Sequence, residues 1–398
     1  MPRKVFALGN RWLIVYLAFL SAFAPLSTDM YLPALPRLAE SLRTTDALSS
    51  LSISCFLLLF ALSMLFWGPY SDKAGRRPVL LLGAALYIVS SVGIVLSPGI
   101  EVLLFWRGVQ AVGSGGISAM SLAIVKDVLR GQVMARVITW IQTITILAPM
   151  LAPVIGGLLL SFTSWRGIFV CLTFCGLLAG GGALLLRETL TVRTEGGFGR
   201  MMGRIGYVLR QRGFRSLLLI FSAVCMPFMA FLAVSSYIYQ GLFGLSPQSY
   251  SLFFAINAGM SLLGPLCYGR WFAAWPLRRF FAVFLGIIAL SGLGILCMGR
   301  WHPVIFALWC APISFCSSAT RPPSTVLMLS QLSTDTGTMT ALINSGGLLF
   351  GSASMFLCGL SIWPDGVAAM GGMACLAGLG TLFGWLRVDG RGHYRKAA

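Results

Sequence analysis

The segment Ala24-Pro25-Leu26-Ser27-Thr28-Asp29-Met30-Tyr31-Leu32-Pro33-Ala34-Leu35-Pro36 sets a carboxylate in an apolar run that begins Trp12-Leu13-Ile14-Val15-Tyr16-Leu17. An ionised carboxylate at the centre of a bilayer costs at least about 2.5 kcal/mol, so Asp29 needs a task that repays it. Ser27 and Thr28 place two hydroxyls beside it. Pro25 removes a backbone donor one turn earlier and frees a carbonyl. Such a group can carry a proton or meet a cation.

Three further groups hold chemistry. Gly68-Pro69-Tyr70-Ser71-Asp72-Lys73-Ala74-Gly75-Arg76-Arg77-Pro78 places one acid among cations around a turn that Gly75 permits. Arg107, within Leu104-Phe105-Trp106-Arg107-Gly108-Val109-Gln110, keeps its proton, so inside a span it must face a cavity or a carboxylate, or lie shallow enough to snorkel to an interface. In Ala148-Pro149-Met150-Leu151-Ala152-Pro153-Val154-Ile155-Gly156-Gly157, Pro149 and Pro153 kink a helix, and Gly156 and Gly157 let it press on a neighbour.

The elements that hold these residues are membrane spans. Hydrophobic residues make up 57% of the 398 and charged ones 10%, against about 45–50% and about 25% in soluble domains. At about 20 residues per span, the chain holds about twelve helices, and its continuous apolar runs lack the alternation of barrel strands. They lie at about 12–34, 49–68, 79–98, 101–124, 135–161, 166–187, 215–240, 249–271, 280–299, 303–323, 338–361 and 366–387. Met1-Pro2-Arg3-Lys4 opens a retained first helix, with no clean small-residue cleavage site after it.

The net charge of +18 follows alternate loops. Arg3, Lys4 and Arg11, then Lys73, Arg76 and Arg77, then Lys126, Arg130 and Arg136 fall on one side, while the other carries little beyond Arg37, Arg43, Arg166 and Arg300. Both termini are therefore expected in the cytoplasm, and the charge needs no nucleic acid to explain it. The predicted domains are a six-helix bundle over 1–187, a basic cytoplasmic linker over 188–214 that meets anionic lipid, and a second six-helix bundle over 215–398. Gly269-Arg270-Trp271 through Arg278-Arg279 echoes the Gly68 segment without its acid, as an internal repeat would. The ten cysteines, mostly within apolar runs and without a C-x-x-C pair, read as small hydrophobes, neither disulfides nor metal ligands.

Gly68 to Leu80 fits G-x-x-x-D-[RK]-x-G-[RK]-[RK]-x-x-[LI], and in it the chain resembles the major facilitator superfamily. The resemblance implies an all-α membrane protein of twelve helices in two six-helix halves. It also implies a gate loop of Gly68, Asp72, Gly75, Arg76 and Arg77 that latches the inner gate. The Arg107 segment is similar to the family's R-x-x-Q-G-x-G pattern, with Ala111 in place of a glycine. Pro149, Pro153, Gly156 and Gly157 resemble the antiporters' G-x-x-x-G-P-x-x-G-G, with alanines at both early glycines. The S-T-D-M-Y-L-P-A-L-P stretch and Ser164-Trp165-Arg166 look like the drug:proton antiporters of the bicyclomycin-resistance (Bcr/CflA) type. In the second half the resemblance is one of topology, and Arg321-Pro322-Pro323 fits no family motif.

The function expected is proton-coupled efflux of small drugs or other xenobiotics by alternating access, in the bacterial inner membrane, by a monomer. The alternative is a carrier of one endogenous metabolite. Asp29 and Arg107 are the coupling candidates; Tyr31, Trp140, Gln142, Thr143, Tyr237, Asn257 and Asn344 are the cavity candidates. Arg321 is expected near the cytoplasmic end of its span, and if deeper it bears on the charge of the substrate. The partners expected are a small-molecule substrate, protons and lipid. No cofactor is expected beyond the proton gradient. An enzyme or ATP-driven pump is disfavoured, because the sequence carries neither H-E-x-x-H nor G-K-[ST], and its two histidines, His302 and His393, fall in loops or tails.

Overall fold

The computed structural model describes residues 10–129, 131–190, 198–332, 336–360 and 362–389. Arg3, Lys4, Arg130 and the linker residues 191–197 lie outside these.

Among the described residues, ten helices are long and apolar enough to cross a membrane, and a bent pair, Trp12–Ser21 with Phe23–Ser41, makes an eleventh. The chain is a multi-pass membrane protein. Large apolar side chains such as Leu82, Val89, Leu178 and Leu290 are exposed along these helices, as a lipid solvent requires.

Two compact units divide the chain, Met1–Phe198 and Gly199–Ala398. In the first, α1 (Asn10–Ser21), α2 (Phe23–Asp29), a 3-10 turn (Leu32–Ala34) and α3 (Leu35–Ser41) form the bent span. They are followed by α4 (Asp46–Ala74), α5 (Arg76–Val95), α6 (Ile100–Val128), α7 (Gly131–Leu159) and α8 (Trp165–Leu185). The second unit holds α9 (Phe198–Arg210), α10 (Arg212–Ala223), α11 (Met226–Tyr237), α12 (Pro247–Cys267), α13 (Leu277–Met298), α14 (Pro303–Ala319), α15 (Arg321–Leu329), α16 (Thr336–Cys358) and α17 (Gly366–Asp389).

The partner pattern repeats. In unit one α4 packs on α6, α5 on both α6 and α8, and the bent span on α7; in unit two α12 packs on α14, α13 on both α14 and α17, and the α10–α11 span on α16. The internal repeat that the sequence shows only as two similar loops is thus kept as a set of helix pairings.

Within the basic linker, Phe198–Arg210 is helical. Ile205, Val208 and Leu209 recur at helical spacing and pack on the core around Phe214, Phe281 and Trp385, while Arg204 and Arg210 stay exposed. That stripe makes α9 a helix, and α10 starts at Arg212, three residues before the expected boundary.

At the start of the last helix, Asp365 accepts from the backbone N–H of Ala368 at 2.7 Å and pairs with both arms of Arg300 at 2.8 and 3.1 Å. Partial burial pushes its carboxyl up, but these bonds and the Arg300 charge outweigh it and hold the carboxyl below the usual range.

Candidate functional site

Asp29 is the last residue of α2, at the broken part of the first span, and is 4% exposed. Earlier in the span, the axes of Trp12–Ser21 and Phe23–Ser41 differ by 44°. Pro33 and Pro36 have no N–H to extend the ladder, so the chain passes through the 3-10 turn before α3 resumes. Thr28 Oγ1 donates to Asp29 Oδ1 at 2.9 Å and also approaches the Ala24 carbonyl at 3.0 Å. Among the described residues Asp29 has no cation partner. Its charged form would stand unpaired at a helix C-terminus, where the dipole also opposes it.

Gly156 of α7 lies directly against Met30. A Cβ there would fall on the Met30 carbonyl oxygen and 2.9 Å from its carbonyl carbon. The antiporter-like motif therefore contributes a surface without a side chain, against which the residue after Asp29 rests. Pro153 and Gly157 are buried beside it, and Pro149 is half-buried.

Arg107 is fully buried. Its Nη1 donates to the Ser27 carbonyl at 3.0 Å and to Gln110 Oε1 at 2.7 Å, and Gln110 in turn donates to Ser91 Oγ. Its guanidinium lies over the rings of Phe56 at 4.4 Å, Tyr31 at 5.2 Å and Phe169 at 5.7 Å, a set of π-faces in place of a carboxylate. Its Nε and Nη2 have no partner. Total burial excludes the snorkelling alternative. The structure ties Arg107 to the Asp29 stretch through the Ser27 carbonyl, not through an ion pair with Asp29. Arg107→Lys is expected to keep part of the transport and Arg107→Ala almost none, measured as substrate transport in vesicles. Full activity in the alanine variant would leave this cation without a role.

The loop between α4 and α5 is a compact network. Arg76, 7% exposed, pairs with Asp72 at 2.6 Å and Asp127 at 2.8 Å, and donates to Ser71 Oγ. Glu188, just after α8, accepts from the backbone N–H groups of Arg76 at 2.9 Å and Arg77 at 3.2 Å, capping the N-terminus of α5 from another part of the chain. Arg77 closes the reverse connection by donating to the Ala183 and Leu184 carbonyls at the end of α8. Gly75 has φ +107°, and a Cβ there would meet Glu188 Oε2 at 2.5 Å. Gly68, by contrast, has open space around its Cβ position.

Asp127 and Glu188 escape a sequence reading that treats them as ordinary acids of a basic face. The available signal was that each ends an apolar span as an isolated acid. Because the Asp72–Arg76 pair is half-exposed on one side, it is worth about 1 kcal/mol or less, so Asp72→Asn should slow turnover about five-fold with little change in substrate affinity. Collapse of affinity with intact turnover would contradict a gating role.

The cavity candidates are scattered. Tyr31 is fully buried, with its hydroxyl 3.0 Å from Ser52 Oγ and its ring 5.2 Å from that of Phe169. Trp140 is exposed, and the side chains of Gln142 and Thr143 lie outside those described. In the second unit Tyr237 is half-buried and Asn344 exposed. Asn257 is 5% exposed, and neither end of its amide has a hydrogen-bond partner. A buried amide with nothing to bond is costly, which makes Asn257 the candidate here with a stated need for a ligand or water.

Comparison with known proteins shows the family and the fold. A 35% identical relative over 259 residues, 64% of either chain, is an uncharacterized MFS-type transporter, YdgK, of Bacillus subtilis (strain 168). Multidrug resistance protein MdtL of Salmonella typhimurium is 32% identical over 242 residues, 60% of this chain and 61% of its own. The chain thus spans less than two thirds of the length of these relatives. Among solved structures, a peptide transporter, POT, superposes with a TM-score of 0.75 at 15% identity, covering 96% of this chain and 95% of that one. A D-xylose-proton symporter does so at 0.70 and 13%, covering 94% and 97%. At such identities the likeness is one of fold. These relatives and neighbours are transporters, not enzymes. The sequence profile described as Major Facilitator Superfamily matches residues 17–355, and the chain belongs to that superfamily.

Proposed function

We propose that this chain is a proton-coupled antiporter that exports small drugs or other xenobiotics by alternating access, of the bicyclomycin-resistance type. Its place would be the bacterial inner membrane, with twelve spans, both termini in the cytoplasm and a monomeric state. The apolar helix Leu147–Leu159 within α7, beside the eleven spans, supports a twelfth.

The observation that carries this reading is Asp29. A buried carboxyl at a helix break, held by one hydroxyl and no cation, is a group whose charge must be cancelled by a proton or by a substrate. Exchange then follows from competition, because a cationic substrate favours the ionised form and displaces the proton. The name of MdtL supports the drug side of the reading.

The test is efflux from proteoliposomes carrying the purified chain, with an imposed pH gradient and several structurally unrelated drugs. Efflux against the drug gradient should appear with the pH gradient and vanish when a protonophore collapses it. Transport insensitive to the protonophore would overturn proton coupling. Movement of one endogenous metabolite, and of none of the drugs, would return the chain to the metabolite-carrier alternative.

A further inference from the structure

Four helices of the second unit carry the same pattern on their exposed sides. In α10 the exposed Leu219 is preceded, at spacings of four and three, by exposed Arg215 and Arg212. In α12 and the π-turn after it (Tyr268–Phe272), Leu263 and Leu266 lead to Arg270. In α13 Leu290 and Val283 lead back to Arg279, and in α17 Leu379 and Phe383 lead to Arg387. Residues three, four or seven apart share one side of a helix. Each exposed apolar stripe, the side that lipid must cover, therefore runs directly into exposed arginine.

The four arginine ends surround one core. Phe214, Phe280, Phe281 and Trp385, each within two residues of one of these arginines, pack together, and Phe272 rests on the same cluster. The Trp385 indole N–H donates to the Arg278 carbonyl at 3.4 Å, which fixes the end of α17 beside the start of α13. The arginines thus form a rim at one end of the unit. Aromatic rings accompany them. Trp271 is exposed beside Arg270, the Arg279 guanidinium lies 5.1 Å from the centre of the Trp275 ring, and that of Arg387 lies 4.0 Å from the centre of the exposed Phe383 ring. Arginine and aromatic side chains together at the edge of an apolar surface suit the headgroup layer of a membrane.

The charge of this unit cannot be balanced from within. Gly199–Ala398 holds fourteen Arg and Lys residues against three acids, Asp335, Asp365 and Asp389. Asp365 is taken by Arg300. Wherever Asp335 and Asp389 lie, they offset two cations at most. Residues 196–334 contain ten arginines and no lysine, aspartate or glutamate. The corresponding loop of the first unit answers Arg76 with Asp72 and Asp127, whereas here the balance is left to an external anion.

We propose that this rim binds anionic phospholipid, with acyl chains along the apolar stripes and phosphates held by the arginines where the stripes end. A guanidinium meets a phosphate with two parallel hydrogen bonds, which a lysine ammonium cannot do. The stripes select lipid over a soluble anion or an acidic protein, because each places apolar surface and guanidinium on the same side of a helix. The site needs only that the chain sits in a membrane and is independent of proton coupling.

The probes are phosphatidylglycerol and phosphatidylcholine with the same acyl chains, added to the purified chain in a neutral sugar detergent. Phosphatidylglycerol should raise the melting temperature saturably, at about a tenth of the concentration that phosphatidylcholine needs, and added salt should weaken its effect. Replacing Arg279→Gln and Arg387→Gln together should lower the apparent affinity for phosphatidylglycerol about tenfold, and Arg279→Lys with Arg387→Lys should lower it less, since charge is kept without the fork. Native mass spectra, which count bound lipid whatever the stability of the variant, should show fewer phosphatidylglycerols on the glutamine variant than on the wild type. Equal responses to the two lipids, or an unchanged affinity and lipid count in the glutamine variant, would overturn the site. So would an equal shift from soluble glycerol 3-phosphate, which would show that the anion binds without the lipid.

Discussion

Alanine at position 156 is expected to abolish transport and to cost about 1–3 kcal/mol of stability. The added Cβ would fall on the carbonyl oxygen of Met30, 2.9 Å from the carbonyl carbon and 3.3 Å from Cα. A flexible side chain could swing aside, but backbone atoms at a helix break cannot move without moving the break. The two segments are also tied one turn further on, where Arg37 donates to the Leu160 carbonyl at 3.2 Å. Relief must therefore displace the stretch that ends α2 and carries Asp29. Gly181→Ala is the control, since that Cβ would meet nothing within 4 Å and alanine is the better helix former. Thermal unfolding and drug efflux of both variants check the argument. Wild-type transport by Gly156→Ala would show that the crossing has slack and does not position Asp29.

How much of this was legible beforehand depends on whether a feature is carried by one residue or by a pair. Asp29 could be found from sequence because a single acid in an apolar run is already anomalous. The same holds for the turn at Gly75, whose positive φ is a local property. Pairings were not legible. Nothing in the spacing of Gly156 says that it rests on Met30, or that Glu188 caps a helix more than a hundred residues earlier in the chain. Arg107 was expected to face a cavity or a carboxylate, or to snorkel to an interface. The structure gives it three aromatic rings, the Ser27 carbonyl and Gln110 instead. The arginines of the linker dominate its composition, whereas three apolar residues at helical spacing decide the structure of α9.

Asp29→Asn is expected to remove uphill efflux driven by a pH gradient altogether, while the protein still folds. The amide has nearly the shape of the protonated acid and can keep the contact with Thr28 Oγ1 now made at 2.9 Å. It cannot lose a proton, so it corresponds to the loaded state held permanently. Because the acid is buried with no cation beside it among the described residues, its ionised form depends on the arrival of a substrate or of water, and in the proposed mechanism the coupling step is the exchange of proton for substrate. The variant should therefore bind neutral substrates much as the wild type does, and should lose the response to pH. Stability is not expected to fall, since replacing an unpaired buried acid by a neutral amide removes a charge that the fold does not compensate. The decisive measurement is substrate-induced proton release from the purified protein in weakly buffered detergent, followed over a range of pH. The wild type should release protons in proportion to substrate bound, and Asp29→Asn should release none. Undiminished release from the variant would take Asp29 out of the mechanism and move the coupling to another acid.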